Sequence, residues 1–122
     1  MKTILVADDD KNFQLLLKTE LSLEGYQVIL ANNGREALRR IKKETPDLLV
    51  LDLKMPNMHG LDVLRTIRKE NKELPVVICT AYEEMRDDRT VRASHIAGYL
   101  TKPIGLNCLK AIMKRSLANK KA

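Results

Sequence analysis

Four short apolar runs of this chain each end in a polar side chain of a type that suits phosphoryl chemistry. The residues that directly follow the runs 4–7, 48–51, 76–79 and 98–101 are, in order, Asp8 with Asp9 and Asp10, then Asp52, then Thr80, then Lys102. If the runs form neighbouring parallel strands, these side chains meet at the carboxyl edge of one sheet, where open α/β sheets bind ligands. The sequence therefore predicts a site of carboxylates, a hydroxyl and an ammonium.

Converging carboxylates repel one another, and a divalent cation relieves that repulsion. Mg²⁺ prefers oxygen ligands and keeps several waters, so we expect Asp9 and Asp52 to bind it directly and Asp8 to act through a water. Asp52 needs no general base to attack a phosphoryl group, because a carboxylate is already ionised at neutral pH. We expect Mg²⁺, Lys102 and the Thr80 hydroxyl to contact the three phosphoryl oxygens.

The elements that must position this site follow from the hydrophobic pattern. Strands are predicted near 3–7, 27–31, 47–51, 75–79 and 98–101, and helices near 10–24, 33–44, 58–71, 84–94 and 105–118. Strands that are apolar on both faces, each followed by a helix, predict a parallel sheet covered on both sides. We predict an α/β, flavodoxin-like, doubly wound five-stranded parallel sheet in the order 2-1-3-4-5, with five helices.

Length and composition bound the class of protein. The 122 residues fit one domain, 1–122, and no apolar stretch is long enough to span a bilayer. The first predicted strand leaves no room for a signal peptide, so we expect a cytoplasmic protein that does not bind membranes. Cys79 and Cys108 lack metal-ligand spacing, which agrees with a reducing compartment. The net charge is +6, but the few aromatics and the lack of a recognition motif argue against direct nucleic-acid binding.

The predicted fourth helix is the weakest element of the pattern. Residues 83–94 offer only Met85, Val91 and Ala93 as apolar anchors. A helix with so few apolar contacts is expected to be among the least stable parts of the fold. We therefore expect this segment to move when the site changes state.

In their order and spacing these residues resemble the receiver domain of two-component response regulators. The motifs that carry the resemblance are Asp8-Asp9, Asp52, Met55-Pro56 followed by Gly60, Thr80-Ala81, and Lys102-Pro103. It implies that a histidine kinase or a histidine phosphotransfer protein donates a phosphoryl group to Asp52 with Mg²⁺ as cofactor. It also implies a protein that catalyses only its own phosphorylation and dephosphorylation.

The resemblance also assigns ligand and switch roles. The Mg²⁺ ligands expected are the carboxylates of Asp8, Asp9 and Asp52 and the backbone carbonyl of Lys54. Thr80 is implied to move toward the phosphoryl group while Tyr99 turns inward, although Tyr99 also fits an ordinary half-buried strand position. A cis peptide bond is implied before Pro103.

Two rim positions resemble those of the single-domain receiver that relays phosphate in bacterial sporulation. Lys54 and Tyr82 lie two residues after Asp52 and Thr80, and we expect both to flank the phosphoryl group. We also expect an apolar docking patch beside the site, formed by Phe13, Leu15 and Ile104. Phe13 equally fits a position in the core.

The chain also departs from the family. His95 stands where many members have Gly just past the fourth helix, so this residue must either tolerate a left-handed backbone or end the helix differently. The acidic residues typical of the symmetric dimer are replaced by Ala97, Gly98 and Asn107. A basic stripe on the predicted fourth helix instead favours an acidic partner, and it consists of Arg86, Arg89 and Arg92.

An enzyme of a different class is the alternative. A haloacid dehalogenase-like phosphohydrolase would use Asp8 as its nucleophile, with Asp10, Thr80 and Lys102 fitting superficially. The acidic metal motif expected on a later strand is missing, and Asp52 would have no role. Turnover of a phosphate ester by Asp52→Asn would favour the phosphohydrolase.

Overall fold

The structure is a computed structural model that describes residues 1–118. In that range the strands are β1 (Thr3–Ala7), β2 (Gln27–Ala31), β3 (Leu48–Leu51), β4 (Val76–Thr80) and β5 (Gly98–Thr101). The α-helices are α1 (Lys11–Leu23), α2 (Gly34–Glu44), α3 (Gly60–Glu70), α4 (Arg89–Ala93) and α5 (Leu106–Ala118), and a 3₁₀ helix spans Glu83–Asp87. None of these helices is long and apolar enough to cross a membrane.

All neighbouring strands pair in parallel, in the order β2-β1-β3-β4-β5. This confirms the predicted flavodoxin-like α/β fold and its strand order. In the register of the sheet Ala7 lies opposite Leu51, and Thr80 lies opposite Thr101. The four polar strand ends therefore belong to four adjacent strands and share one edge.

Alternate residues of each central strand enter two separate cores. Leu5 and Ala7 of β1 belong to the core under α2, α3 and α4, whereas Ile4 and Val6 belong to the core under α1 and α5. Both faces of the strand are buried, which explains why it reads as a continuous apolar run rather than an alternating one.

Short-range capping sets several helix ends. The Asp10 side chain accepts hydrogen bonds from the backbone of Asn12 and Phe13 and begins α1. Asn33 caps α2 in the same way by accepting from the Glu36 backbone. His95 has a φ of 51°, so of the two alternatives the left-handed backbone just past α4 is the one observed.

The prediction of one continuous helix over 84–94 was wrong. The chain forms the 3₁₀ helix Glu83–Asp87, leaves helical geometry at Asp88 with a ψ of 141°, and then forms α4. Asp88 supports the second start, because its side chain accepts a hydrogen bond from the Thr90 backbone at 2.8 Å. The scarcity of apolar anchors in this segment is confirmed, since only Val91 of α4 is buried and no residue of the 3₁₀ helix is.

Candidate functional site

The carboxyl edge of the sheet holds an open pocket of about 580 Å³. Its lining residues come from the loops after β1, β3, β4 and β5, and they are Asp8, Asp9, Asp10, Asp52, Lys54, Met55, Pro56, Ala81, Tyr82 and Lys102. The predicted site residues are therefore brought together, except for Thr80 and Tyr99, which do not line the pocket. Thr80 is fully buried beneath the pocket, where its hydroxyl accepts a 3.4 Å hydrogen bond from the Tyr82 backbone.

Three carboxylates converge in this pocket. One oxygen of each of Asp8, Asp9 and Asp52 lies within 4.8 Å of the other two. Asp8 is 1% exposed and Asp52 is 7% exposed, whereas Asp9 faces solvent. An all-oxygen donor set that is open on one side fits a hard cation that keeps several waters, as Mg²⁺ does.

Lys102 supplies the counter-charge. Its Nζ lies 2.7 Å from Asp8 Oδ2 and 3.5 Å from Asp52 Oδ2. Burial alone would lower the pKa of Lys102, but the hydrogen bond to Asp8 and the charges of both carboxylates outweigh it, so the pKa is raised. The ammonium also lies 4.2 Å from the centre of the Phe13 ring, a cation–π distance.

Asp8 is fully engaged by its surroundings. Oδ1 accepts a 2.8 Å hydrogen bond from the Asp10 backbone, and Oδ2 accepts from Lys102. Burial raises the pKa of Asp8, and the hydrogen bonds from Lys102 and Asp10 only partly offset it. The Asp8 side chain is therefore held by groups on both of its oxygens.

The loop after Asp52 is held close to its strand by Gly60. The Gly60 backbone donates a 2.7 Å hydrogen bond to the Leu53 carbonyl. A Cβ at position 60 would lie 2.4 Å from the Asp52 carbonyl oxygen and 2.5 Å from the Leu53 Cα. Only glycine permits this approach of α3 to the strand that carries Asp52.

The two predicted rim residues touch each other across the mouth of the pocket. Lys54 Nζ lies 5.8 Å from the centre of the Tyr82 ring, within cation–π range. A hydrogen bond to Tyr82 is the main cause of the raised pKa of Lys54. Both side chains line the pocket, and their place beside a bound phosphoryl group stays a prediction. The ligand role of the Lys54 backbone carbonyl stays a prediction.

Tyr99 is buried and bonded rather than loosely placed on its strand. Its hydroxyl donates to the Tyr82 carbonyl, and burial raises its pKa to about 12. Arg86 lies 4.7 Å above its ring and pairs with Glu83 at 3.0 Å. The Thr101 hydroxyl also donates to Glu83. The predicted switch residue Tyr99 therefore belongs to a cluster of four side chains, together with Arg86, Glu83 and Thr101.

The contacts within this cluster remove one arginine from the basic stripe predicted for the fourth helix. Arg86 is occupied by Glu83 and Tyr99, and it lies in the 3₁₀ helix rather than in α4. Arg89 and Arg92 are exposed on α4 and line a separate shallow depression with Asp87 and Ala93. Of the three arginines in the predicted stripe, Arg89 and Arg92 therefore form the open basic surface.

The expected apolar patch is divided between core and surface. Phe13 and Ile104 are partly buried against the core under α1 and α5. Leu15 is 65% exposed and Leu16 is 42% exposed on the outer face of α1. Of the three residues of the expected patch, Leu15 on α1 is therefore the exposed one.

Sequence reasoning missed Gln14, which is 4% exposed on α1. Its side-chain amide donates to the Asp8 carbonyl and, at 2.9 Å, to Asn32 Oδ1. A signal was present, because residues 14, 17 and 21 share one helical face and the other two are buried leucines.

Comparisons with known proteins agree on one family. The model of the response regulator receiver domain matches residues 4–114. The response regulator MprA of Mycolicibacterium vanbaalenii is 40% identical over 93% of this chain and 49% of its own length. The alkaline phosphatase synthesis transcriptional regulatory protein PhoP of Bacillus subtilis is 37% identical over 94% of this chain and 50% of its own. The chain thus spans about half the length of these curated relatives.

Solved structures show the same similarity. Response regulator TrrA of Thermotoga maritima, in complex with Mg²⁺-BeF, matches with a TM-score of 0.88 and 40% identity, covering 95% of this chain and 99% of the other. The receiver domain of the Francisella response regulator 1452 matches with a TM-score of 0.91 and 31% identity, covering 99% of this chain and 100% of the other.

Proposed function

This chain belongs to the receiver domains of two-component response regulators, and on that premise we propose that Asp52 accepts a phosphoryl group in a Mg²⁺-dependent reaction. The donor is a histidine kinase or a histidine phosphotransfer protein. The observation that carries the proposal is the placement of Asp52, which lies 3.5 Å from Lys102 and within 4.8 Å of two further carboxylates.

The chemistry uses few protein groups. A carboxylate oxygen of Asp52 forms a bond to phosphorus while the bond between phosphorus and the donor nitrogen breaks, giving an aspartyl phosphate. Lys102 neutralises charge on one phosphoryl oxygen, since its ammonium already reaches Asp52. The Thr80 hydroxyl donates a hydrogen bond to a second phosphoryl oxygen after the Thr80 side chain leaves its buried position.

The acidic residues would hold the cation. Asp8, Asp9 and Asp52 supply carboxylate oxygens, and the Lys54 backbone carbonyl completes the proposed set. Mg²⁺, when bound, neutralises phosphoryl charge and fixes one phosphoryl oxygen. Its affinity is expected to be weak, because a partly open site with few protein ligands does not dehydrate the ion fully.

Residues 80–102 are the proposed output surface. The segment begins at Thr80, contains the poorly anchored α4, and ends at Tyr99 and Lys102. A phosphoryl group shifts such a segment only by making different contacts in its two states, and the Thr80 hydroxyl offers that difference. Hydrogen exchange with and without beryllofluoride is expected to change here. Changes confined to α1 and α2 would contradict this switch.

The remaining surfaces suggest partners. Exposed Arg89 and Arg92 suit an acidic partner, and the open leucines of α1 suit docking of the phosphoryl donor. We also propose that the protein turns over no external substrate and acts in the cytoplasm, where its free thiols at Cys79 and Cys108 stay reduced. A relay role follows if the aspartyl phosphate is long-lived.

Intact-mass spectrometry tests the function directly. Incubation with acetyl phosphate and Mg²⁺ should add one phosphoryl group to the parent protein and none to Asp52→Asn. Asp10→Asn is the matched control, because Asn also caps helices and this substitution removes a carboxylate of the same loop. Labelling of Asp52→Asn equal to that of the parent would contradict the assignment.

A further inference from the structure

Gln14 is a buried polar side chain at a position where an apolar one would complete the helix face. It is 4% exposed, and the other buried residues of α1 are Leu17 and Leu21. Burying a side-chain amide is unfavourable unless hydrogen bonds compensate for the lost water. The two hydrogen bonds of Gln14 therefore indicate what the amide does at this place.

One of these bonds fixes the peptide unit between two proposed metal ligands. The Gln14 amide donates to the Asp8 carbonyl, and the Asp8 backbone N–H donates to the Ala31 carbonyl at 3.0 Å. The main chain of Asp8 is thus held from both sides. Because the peptide unit is planar, the orientation of the Asp8 carbonyl also fixes the positions of the backbone N and Cα of Asp9.

The other bond anchors Gln14 to the end of β2. Asn32 Oδ1 accepts from Gln14 at 2.9 Å and also accepts from Lys11 Nζ. The Asn32 backbone in turn donates to Glu36 at 2.5 Å, at the start of α2. The amide of Gln14 is therefore held by a loop that does not itself reach the acidic pocket.

We propose that Gln14 is a positioning residue of the cation site, which holds the Asp8–Asp9 peptide so that both carboxylates converge on Asp52. The inference rests on the proposed function and deepens it. Asp9 needs this support most, because its side chain faces solvent and its carboxylate must still lie within 4.8 Å of the other two. Without the amide, the Asp8 carbonyl would be free to turn, and Asp9 would turn with it.

Calorimetric titration of Mg²⁺ into the unphosphorylated protein tests the proposal. Gln14→Met keeps the length of the side chain and removes its donor, and we expect the Kd for Mg²⁺ to rise about tenfold, as for loss of other outer hydrogen bonds at metal sites. Leu21→Ala is the matched control, because it weakens the packing of the same helix away from the acidic loop. Its Kd should equal that of the parent.

Phosphorylation by acetyl phosphate supplies a second measurement. In Gln14→Met the Mg²⁺ concentration at half-maximal rate should rise about tenfold, while the rate at saturating Mg²⁺ stays near that of the parent. A substitution that only loosened the fold would lower the maximal rate and leave the half-saturating concentration unchanged. That second pattern would overturn the proposal.

The outcomes separate this inference from the proposed function. A parent protein that neither binds Mg²⁺ nor takes a phosphoryl group contradicts both. A parent that does both, with Gln14→Met binding Mg²⁺ equally well, overturns the role of Gln14 alone.

If Gln14→Met does not fold, by circular dichroism, Asn32→Ala decides the question. Asn32 is exposed, and its loss frees one end of the Gln14 amide. We expect about threefold weaker Mg²⁺ binding, as part of the effect of losing the amide itself, and unchanged binding would overturn the proposal. Lys11→Met is the control here. It removes the other contact of Asn32 Oδ1 and should not weaken Mg²⁺ binding.

Discussion

Replacing Asp8 by Asn removes one of three mutually repelling carboxylates, and we expect it to stabilise the fold in the absence of divalent cations. Asp8 is repelled by Asp9 and Asp52, each within 4.8 Å, and is attracted by Lys102 at 2.7 Å. It is also 1% exposed, so its charge has lost most of its water. The pKa of Asp8 is raised mainly by burial, which together with the charge of Asp52 outweighs the hydrogen bonds from Lys102 and Asp10 and the charge of Lys102.

The magnitude follows from these distances. At an effective dielectric constant of about 20, each carboxylate pair at 4.8 Å contributes about 3.5 kcal/mol of repulsion. The contact with Lys102 at 2.7 Å contributes about 6 kcal/mol of attraction on the same scale. The two repulsions roughly cancel the one attraction, so the burial of the charged carboxylate decides the sign. We expect Asp8→Asn to raise the free energy of unfolding by about 1–3 kcal/mol. Each kcal/mol corresponds to a rise in Tm of roughly 3–5 °C for a domain of this size.

The dependence on pH follows from the direction of the pKa shift. Because the pKa of folded Asp8 lies above its ordinary value of 3.8, its contribution to stability is greatest below that pH. The contribution is lost as the pH rises through the folded-state pKa. The advantage of Asp8→Asn should therefore be small near pH 4 and grow as the pH rises toward 7.

Urea unfolding followed by circular dichroism, with EDTA and at several pH values, measures this difference. Asp10→Asn is the control, because it removes a charge from the same loop and keeps the helix cap. Addition of Mg²⁺ at 100 times its Kd should stabilise the parent by about 2.7 kcal/mol and Asp8→Asn by much less. An Asp8→Asn protein that is less stable than the parent at pH 7 without Mg²⁺ would refute the reasoning, since the Lys102 pair would then dominate.

Two further substitutions test the rim and the loop of the site. Lys54→Ala combined with Tyr82→Ala should speed loss of the phosphoryl group about tenfold, a change of about 1.4 kcal/mol in the barrier, because both side chains crowd the approach of water. Unaltered decay in a phosphate-release assay would count against shielding and against a relay. Gly60→Ala should lower the urea-unfolding free energy by 3 kcal/mol or more, on the order of overpacking against rigid backbone. Gly25→Ala, where a Cβ meets nothing but φ is 93°, should lower it by a smaller amount, about 1–2 kcal/mol.

The fold and most of the residues that line the acidic pocket could be predicted from the hydrophobic pattern and the chain direction. Residues 4–7 and 48–51 are apolar at every position, and burial on both faces of a parallel sheet is what such runs require. Once the strands were parallel, chain direction alone put Asp8, Asp52, Thr80 and Lys102 at one edge. Asp10 and Asn33 were readable as helix starts, because a cap bonds to backbone only two or three residues away.

The break at Asp88 was not readable in the same way. Neither Gly nor Pro marks it, and the helical pattern of 84–94 runs through it. The segment has too few buried anchors to hold one straight helix, so its path is set by the contacts that it makes elsewhere. Among these are the contacts of Arg86 with Tyr99 and of Glu83 with Thr101.

The hydrogen bonds between the site residues could not be predicted from the sequence, because they depend on the packed fold. Lys102 reaches Asp8 across 94 residues of chain, and Gln14 joins Asp8 to Asn32 across two strands. Periodicity could place Gln14 on a buried face, but it could not name the carbonyl that the amide meets. The hydrophobic pattern of a helix or strand indicates which of its positions are buried, because burial follows the periodicity of that element. The partner of a polar group depends on distances of a few ångströms between elements, and those are fixed only when the sheet and both helical layers have packed together.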